Sequence, residues 1–298
     1  MFSLAFITLS AVSTVSASSS VIYVNGSHGN DANDGLSWAT AKLTIANATG
    51  TVSDGGTVNI ANGVYRGAGN TNIILNKSMT IQGQSKSSTI INGDDNAQIF
   101  KIQKYPREEA MPDLNILIQN LTIVNGNPIG TRGTISTDNI AEDTLTVKNC
   151  IFKYDTEAIY CQQGTCTVNG CTFINNTRAI TNIATLTVTG CNFVNNTADS
   201  GGAIGNSGTC TVTGCIFTGN YASYEGGAIY NLGTLTAHFN QIVDYTNSNS
   251  VVVIKSYPGI SGAIYNSGGT VDAELNWWGS NVPTNLHGFT SINGSYSK

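Results

Sequence analysis

One strip recurs along this chain and leaves few folds open to it. It reads Leu145-Thr-Val-Lys-Asn-Cys150-Ile-Phe152, then Cys166-Thr-Val-Asn-Gly-Cys171-Thr-Phe173, Leu186-Thr-Val-Thr-Gly-Cys191-Asn-Phe193 and Cys210-Thr-Val-Thr-Gly-Cys215-Ile-Phe217. A degenerate copy runs from Leu235 to Ile242. The second cysteines are 21, 20 and 24 residues apart. Between the copies lies a second strip: Gly202-Ala-Ile-Gly-Asn206, Gly227-Ala-Ile-Tyr-Asn231 and Gly262-Ala-Ile-Tyr-Asn266, with weaker copies at Ala158-Ile-Tyr160 and Ala179-Ile-Thr-Asn182. A period in this range belongs to solenoids. Within each strip apolar residues alternate with polar ones, the mark of a strand with one buried face. The units lack the several leucines and the helical period of a leucine-rich repeat.

The reading that accounts for both strips is a single right-handed parallel β-helix, all-β, of about ten coils, each holding three short strands. Each coil adds about 4.8 Å, so the rod spans roughly 50 Å. Equivalent residues should then stack in interior ladders. Cys150, Cys171, Cys191 and Cys215 form one, and Phe152, Phe173, Phe193 and Phe217 another. Ile159, Ile180, Ile204, Ile229 and Ile264 form a third, and Leu145, Cys166, Leu186, Cys210 and Leu235 a fourth. Cysteine alternating with leucine in the last predicts that Cys166 and Cys210 are small buried hydrophobes. Rungs of the Cys150 ladder would lie within bridging distance, so a disulfide there stays open as an alternative to free thiols. No Cys-x-x-Cys pair and no histidine partner suggests zinc, and no metal or cofactor is expected.

The ends of such a rod must be covered. Residues 18–56 are read as an N-terminal strand and cap, with a short amphipathic helix over 38–48. Ser37 would cap that helix, and Trp38, Leu43 and Ile45 would face the core. The β-helix is placed at 57–282, with Trp277 and Trp278 plugging the last coil, and a polar tail at 283–298. Residues 1–17 read as an export signal ending in Val15-Ser16-Ala17, with cleavage after Ala17. No other stretch is long and apolar enough to span a membrane. Export gives meaning to the glycosylation sequons at Asn25, Asn47, Asn76, Asn120, Asn175, Asn195 and Asn293.

Charged residues make up only 10% of the chain and the net charge is −5, with no basic run. That argues against nucleic acid as a partner. Tyr23-Val-Asn-Gly, Gly29-Asn-Asp-Ala-Asn-Asp-Gly35, Ser37-Trp-Ala-Thr and Gly56-Thr-Val-Asn-Ile-Ala-Asn-Gly-Val-Tyr65 resemble the opening of pectate-lyase-like β-helix proteins. The Gly-Gly-Ala-Ile-Tyr-Asn and Asn276-Trp-Trp-Gly279 strips resemble adhesin-like β-helix proteins of methanogenic archaea and, more distantly, polymorphic outer-membrane repeats. The resemblance covers about residues 21–282. It implies the fold and a secreted or cell-surface location, but no activity, because this fold carries lyases, hydrolases, adhesins and spacers alike.

Chemistry is sparse. A glycosidase needs two or three carboxylates facing one groove. Asp199 and Glu225 form the best pair, both just before a Gly-Gly-Ala-Ile strip and one coil apart. The acidic residues at 138, 142, 143, 155 and 157 read as ordinary turn carboxylates. The arginines at 66, 107, 132 and 178 share no repeat position. Asn30 to Gly35 fails the calcium-loop pattern. Tyr221, Tyr224 and Tyr245, with an insertion over 244–261, are candidate contacts for a sugar or peptide. The expectation is an adhesin-like surface protein that binds extracellular glycan or protein without catalysis. A polysaccharide lyase or glycoside hydrolase is the alternative.

Overall fold

The computed structural model describes residues 20–104, 112–128, 130, 132–138, 142–243 and 263–277. The chain winds as a right-handed parallel β-helix. A ten-stranded sheet runs from Val21–Val24 through Gly56–Ile60 to Thr270–Asp272, and two eight-stranded sheets complete the coil. Every strand pair between coils is parallel and nearly all are in register. The N-terminal strand Val21–Val24 pairs with Gly56–Ile60, so the end segment is itself the first rung of the large sheet.

Register sets the core. In the large sheet Leu145, Cys166, Leu186, Cys210 and Leu235 pair in sequence and are all buried. In the second sheet the rings of Phe152, Phe173, Phe193 and Phe217 stack nearly parallel, with centroids 4.7–4.9 Å apart. This spacing is the inter-strand distance itself, so the backbone ladder enforces the stacking. In the third sheet Ile135, Ile159, Ile180, Ile204, Ile229 and Ile264 form one column.

The turns obey backbone sterics. Asn120, Asn149, Gly170, Gly190, Gly214 and Phe239 all take φ between 51 and 64°, as does a second column of Asn125, Tyr154, Asn175, Asn195 and Gly219 at 54–63°. Glycine and asparagine carry that left-handed conformation at least cost, which is why they recur there. Behind the turns, buried asparagines replace backbone partners. Asn176, Asn196 and Asn220 each donate from the amide nitrogen to the carbonyl of Phe152, Phe173 and Phe193. The carbonyl oxygens of Asn196 and Asn220 accept from the backbone N–H one coil back. A further column, Asn182, Asn206, Asn231 and Asn266, is linked amide to amide at 2.6–2.9 Å.

Several expectations need correction. The helix is Ile45–Thr51, capped by Thr44, rather than 38–48. Asp31 holds the amides of Leu43 and Thr44 and the Thr44 hydroxyl at 2.9 Å, which delays the helix start. Residues 37–40 make a turn, and Trp38 is 41% exposed, edge-on to Tyr23. Cys166 is not a free hydrophobe: it is bridged to Cys161, with Cα atoms 6.3 Å apart. Cys161 pairs with Asn182, so the disulfide closes the turn where later coils use the asparagine column. The rungs Cys150, Cys171, Cys191 and Cys215 are free thiols. Each of the last three sulfurs accepts a backbone N–H from the preceding coil at 3.3–3.4 Å. Burial pushes the Cys171 thiol up and the Cys210 thiol to about 12. The signal segment, the 244–261 insertion, Trp278 and the tail lie outside the described residues.

Candidate functional site: a charged cleft beside the third sheet

The connections from the second sheet to the third vary in length, and that is where the surface is hollowed. One hollow of about 400 Å³ is lined by Arg132, Thr156, Glu157, Thr177, Arg178, Thr197, Ala198, Asp199 and Ser223. A second, of about 300 Å³, is lined by Lys101, Arg132, Ser136, Asp138, Tyr160 and Gln162. They share Arg132 and lie beside the third sheet.

The repeat explains how charges reach this place. Ile159 pairs with Ile180, and Ile180 with Ile204 and then Ile229 down the column. The residue two places before each is Glu157, Arg178, Gly202 and Gly227. Two coils therefore carry long charged side chains where the next two carry none. The arginines at 132 and 178, which showed no common repeat position, are brought into one hollow, two coils apart.

The contacts inside are specific. The Thr181 hydroxyl donates to Glu157. Arg178 donates from Nη2 to the Ser200 carbonyl at 3.1 Å, while its Nε–H, though buried, has no partner among the described residues. The Arg132 guanidinium lies over the Tyr160 ring, 5.5 Å from its centroid. Lys101 is ion-paired to Asp138 at 2.8 Å. Such a surface offers planar donors, carboxylate acceptors and hydroxyls.

Of the residues singled out from sequence, Asp199 lines the cleft but Glu225 does not. The strands Thr197–Ser200 and Tyr221–Glu225 shift register, so Glu225 faces Ser200 rather than Asp199. Tyr221 pairs with Thr197, Tyr224 is 65% exposed on the same strand, and Tyr245 lies outside the described residues. The turn acids also differ from expectation. Asp143 and Asp155 are 3% and 1% exposed, and each accepts a backbone N–H at 2.7 Å, from Leu114 and Gly126. Asp143 is also paired with buried Lys104 at 3.0 Å. Asp155 occupies the rung preceding Asn176 and accepts no such amide proton on Oδ2; burial holds its carboxyl well above the usual range. Both are structural carboxylates, held by backbone N–H groups.

No protein-family model matches the chain, and no curated protein matches it. Solved structures do. The A-module of an Azotobacter vinelandii mannuronan C-5 epimerase is 12% identical, with a TM-score of 0.42 over 82% of this chain and 92% of that one. The catalytic domain of an α-1,3-glucanase is 13% identical, with a TM-score of 0.42 over 78% of this chain and 52% of that one. A pectin methylesterase from Aspergillus niger is 12% identical, with a TM-score of 0.34 over 95% and 93%.

Proposed function

We propose that this chain is an exported, cell-surface, adhesin-like β-helix that binds extracellular glycan in the cleft without turning it over. The observation that carries this reading is the convergence of Arg132, Glu157, Arg178 and Asp199 on one hollow beside a rigid sheet. Guanidinium and carboxylate groups match vicinal sugar hydroxyls in pairs. A folded rod that already orders these side chains lowers the entropic cost of binding.

Glu157 is half-buried and accepts from Thr181, while Asp199 is exposed on an irregular strand, and the reading without turnover assigns both to ligand contact. A carbohydrate-active enzyme is the second reading, favoured only by the presence of both carboxylates in one hollow. The test is retention of the purified chain on plant, microbial and host glycans, with and without calcium. Retention with no new reducing or unsaturated ends supports binding alone. Product release that disappears in Glu157→Gln or Asp199→Asn would establish the enzyme instead.

A further inference from the structure

Two sequons, Asn175-Asn176-Thr177 and Asn195-Asn196-Thr197, occupy consecutive rungs of the helix. The pairing Ile174 with Val194 leads into them, and the Asn175 N–H donates to the Val194 carbonyl at 3.0 Å. The middle asparagines are locked in the buried column, with the Asn176 N–H on Asn196 Oδ1 at 3.0 Å. The outer asparagines do the opposite. Both are exposed, both sit at φ 54°, and neither side-chain amide is hydrogen-bonded among the described residues. The sequon threonines, Thr177 and Thr197, line the cleft beside Arg178 and Asp199.

We propose that Asn175 and Asn195 are alternative acceptors of a single N-linked glycan at the rim of the cleft. The step joins the asparagine Nδ2 to the anomeric carbon of a saccharide held on a lipid phosphate or pyrophosphate. The bond from that carbon to the phosphate oxygen breaks, the lipid phosphate leaves, and the amide nitrogen gives up one proton. No oxidant or reductant is involved.

Single occupancy follows from the register. In-register rungs hold their side chains about 4.8 Å apart, narrower than a substituted pyranose. Room opens only on the outer sides of the pair. A Cβ at Gly219, the next rung, would lie 2.2 Å from Asn195 Oδ1, so Asn195 leans over a position without a side chain. On the other side stands the exposed Tyr154 ring, able to flank a sugar on Asn175. Asn25, Asn47 and Asn120 are less open. Asn25 Oδ1 accepts from the Ser27 and His28 amides, Asn120 Oδ1 accepts from Asn149, and Asn47 lies half-buried in the capping helix. Asn76 is exposed and stands without a neighbouring sequon, which makes it the internal comparison.

The full chain would be secreted from a host that carries out N-glycosylation, and its glycopeptides weighed. One glycan per molecule on the pair is expected. Asn175→Asp should leave it on Asn195, Asn195→Asp should leave it on Asn175, and the double variant should lose it while retaining any glycan on Asn76. Aspartate tolerates the left-handed backbone, so these variants should still fold. Glycans on both rungs of one molecule, or on neither, would overturn the proposal. The readout is mass alone, so it stands or falls apart from ligand retention by the cleft.

Discussion

Glu157 and Arg178 stand at one repeat position on consecutive coils, two residues ahead of the paired Ile159 and Ile180. The following coils place Gly202 and Gly227 there. Arg178→Gly and Glu157→Gly therefore restore the repeat's own choice and should leave the fold intact. Arg178→Gly should weaken glycan retention at least about tenfold, or about 1.4 kcal/mol, with the midpoint of thermal unfolding moving by only a few degrees. Affinity and melting measured on the same preparation check both halves.

Asp155→Asn should stabilise the protein at neutral pH. Burial raises the folded-state pKa of Asp155 above its unfolded value of about 4. Stability is then fullest below pH ~4 and is lost as pH rises through the raised folded value. An asparagine completes the column that Asn176 and Asn196 continue and removes the titration. The gain should be about 1–3 kcal/mol at pH 7 and vanish in acid, as read from denaturant unfolding across pH.

The stacked rings predict a steep contrast between faces. Phe173→Ala, in the middle of the four-ring column, should cost about 3–5 kcal/mol through lost burial and a cavity its rigid neighbours cannot fill. Thr187→Ala, on the outward face of the large sheet, should stay within about 0.5 kcal/mol. Urea midpoints for the two variants decide it.

Reduction of the Cys161–Cys166 bridge should lower stability by about 2 kcal/mol, the modest effect of so short a loop. Cys161 pairs with Asn182 and Cys166 with Leu186. The double variant Cys161→Asn/Cys166→Leu should thus fold without the bridge and melt at the same temperature with or without reductant. A variant that still responds to reductant would contradict this exchange of one turn-closing device for another.

The ladders were legible because each depends on a local pattern repeated in register. Leu-Thr-Val alternation names its buried face, and the period aligns the copies. The cleft was not legible in the same way, because it arises where the pattern is broken. Thr156-Glu157 and Thr177-Arg178 depart from Gly-Gly ahead of Ala-Ile, and that departure was the available signal. The capping helix was misplaced because its start depends on Asp31, whose carboxylate reaches Thr44 across 13 residues of chain. The Asp199 and Glu225 pairing failed because Asp199 lies five residues ahead of Ile204 and Glu225 only four ahead of the paired Ile229, so Glu225 falls opposite Ser200.

The Asn182 column has a consequence for how such rods change over time. Asn206 and Asn231 each bond their own turn and the coils immediately before and after. Duplicating or deleting one whole coil leaves every remaining rung with an equivalent neighbour. Length is therefore an inherited variable that can drift freely, and with it the reach of whatever loops the outer coils carry.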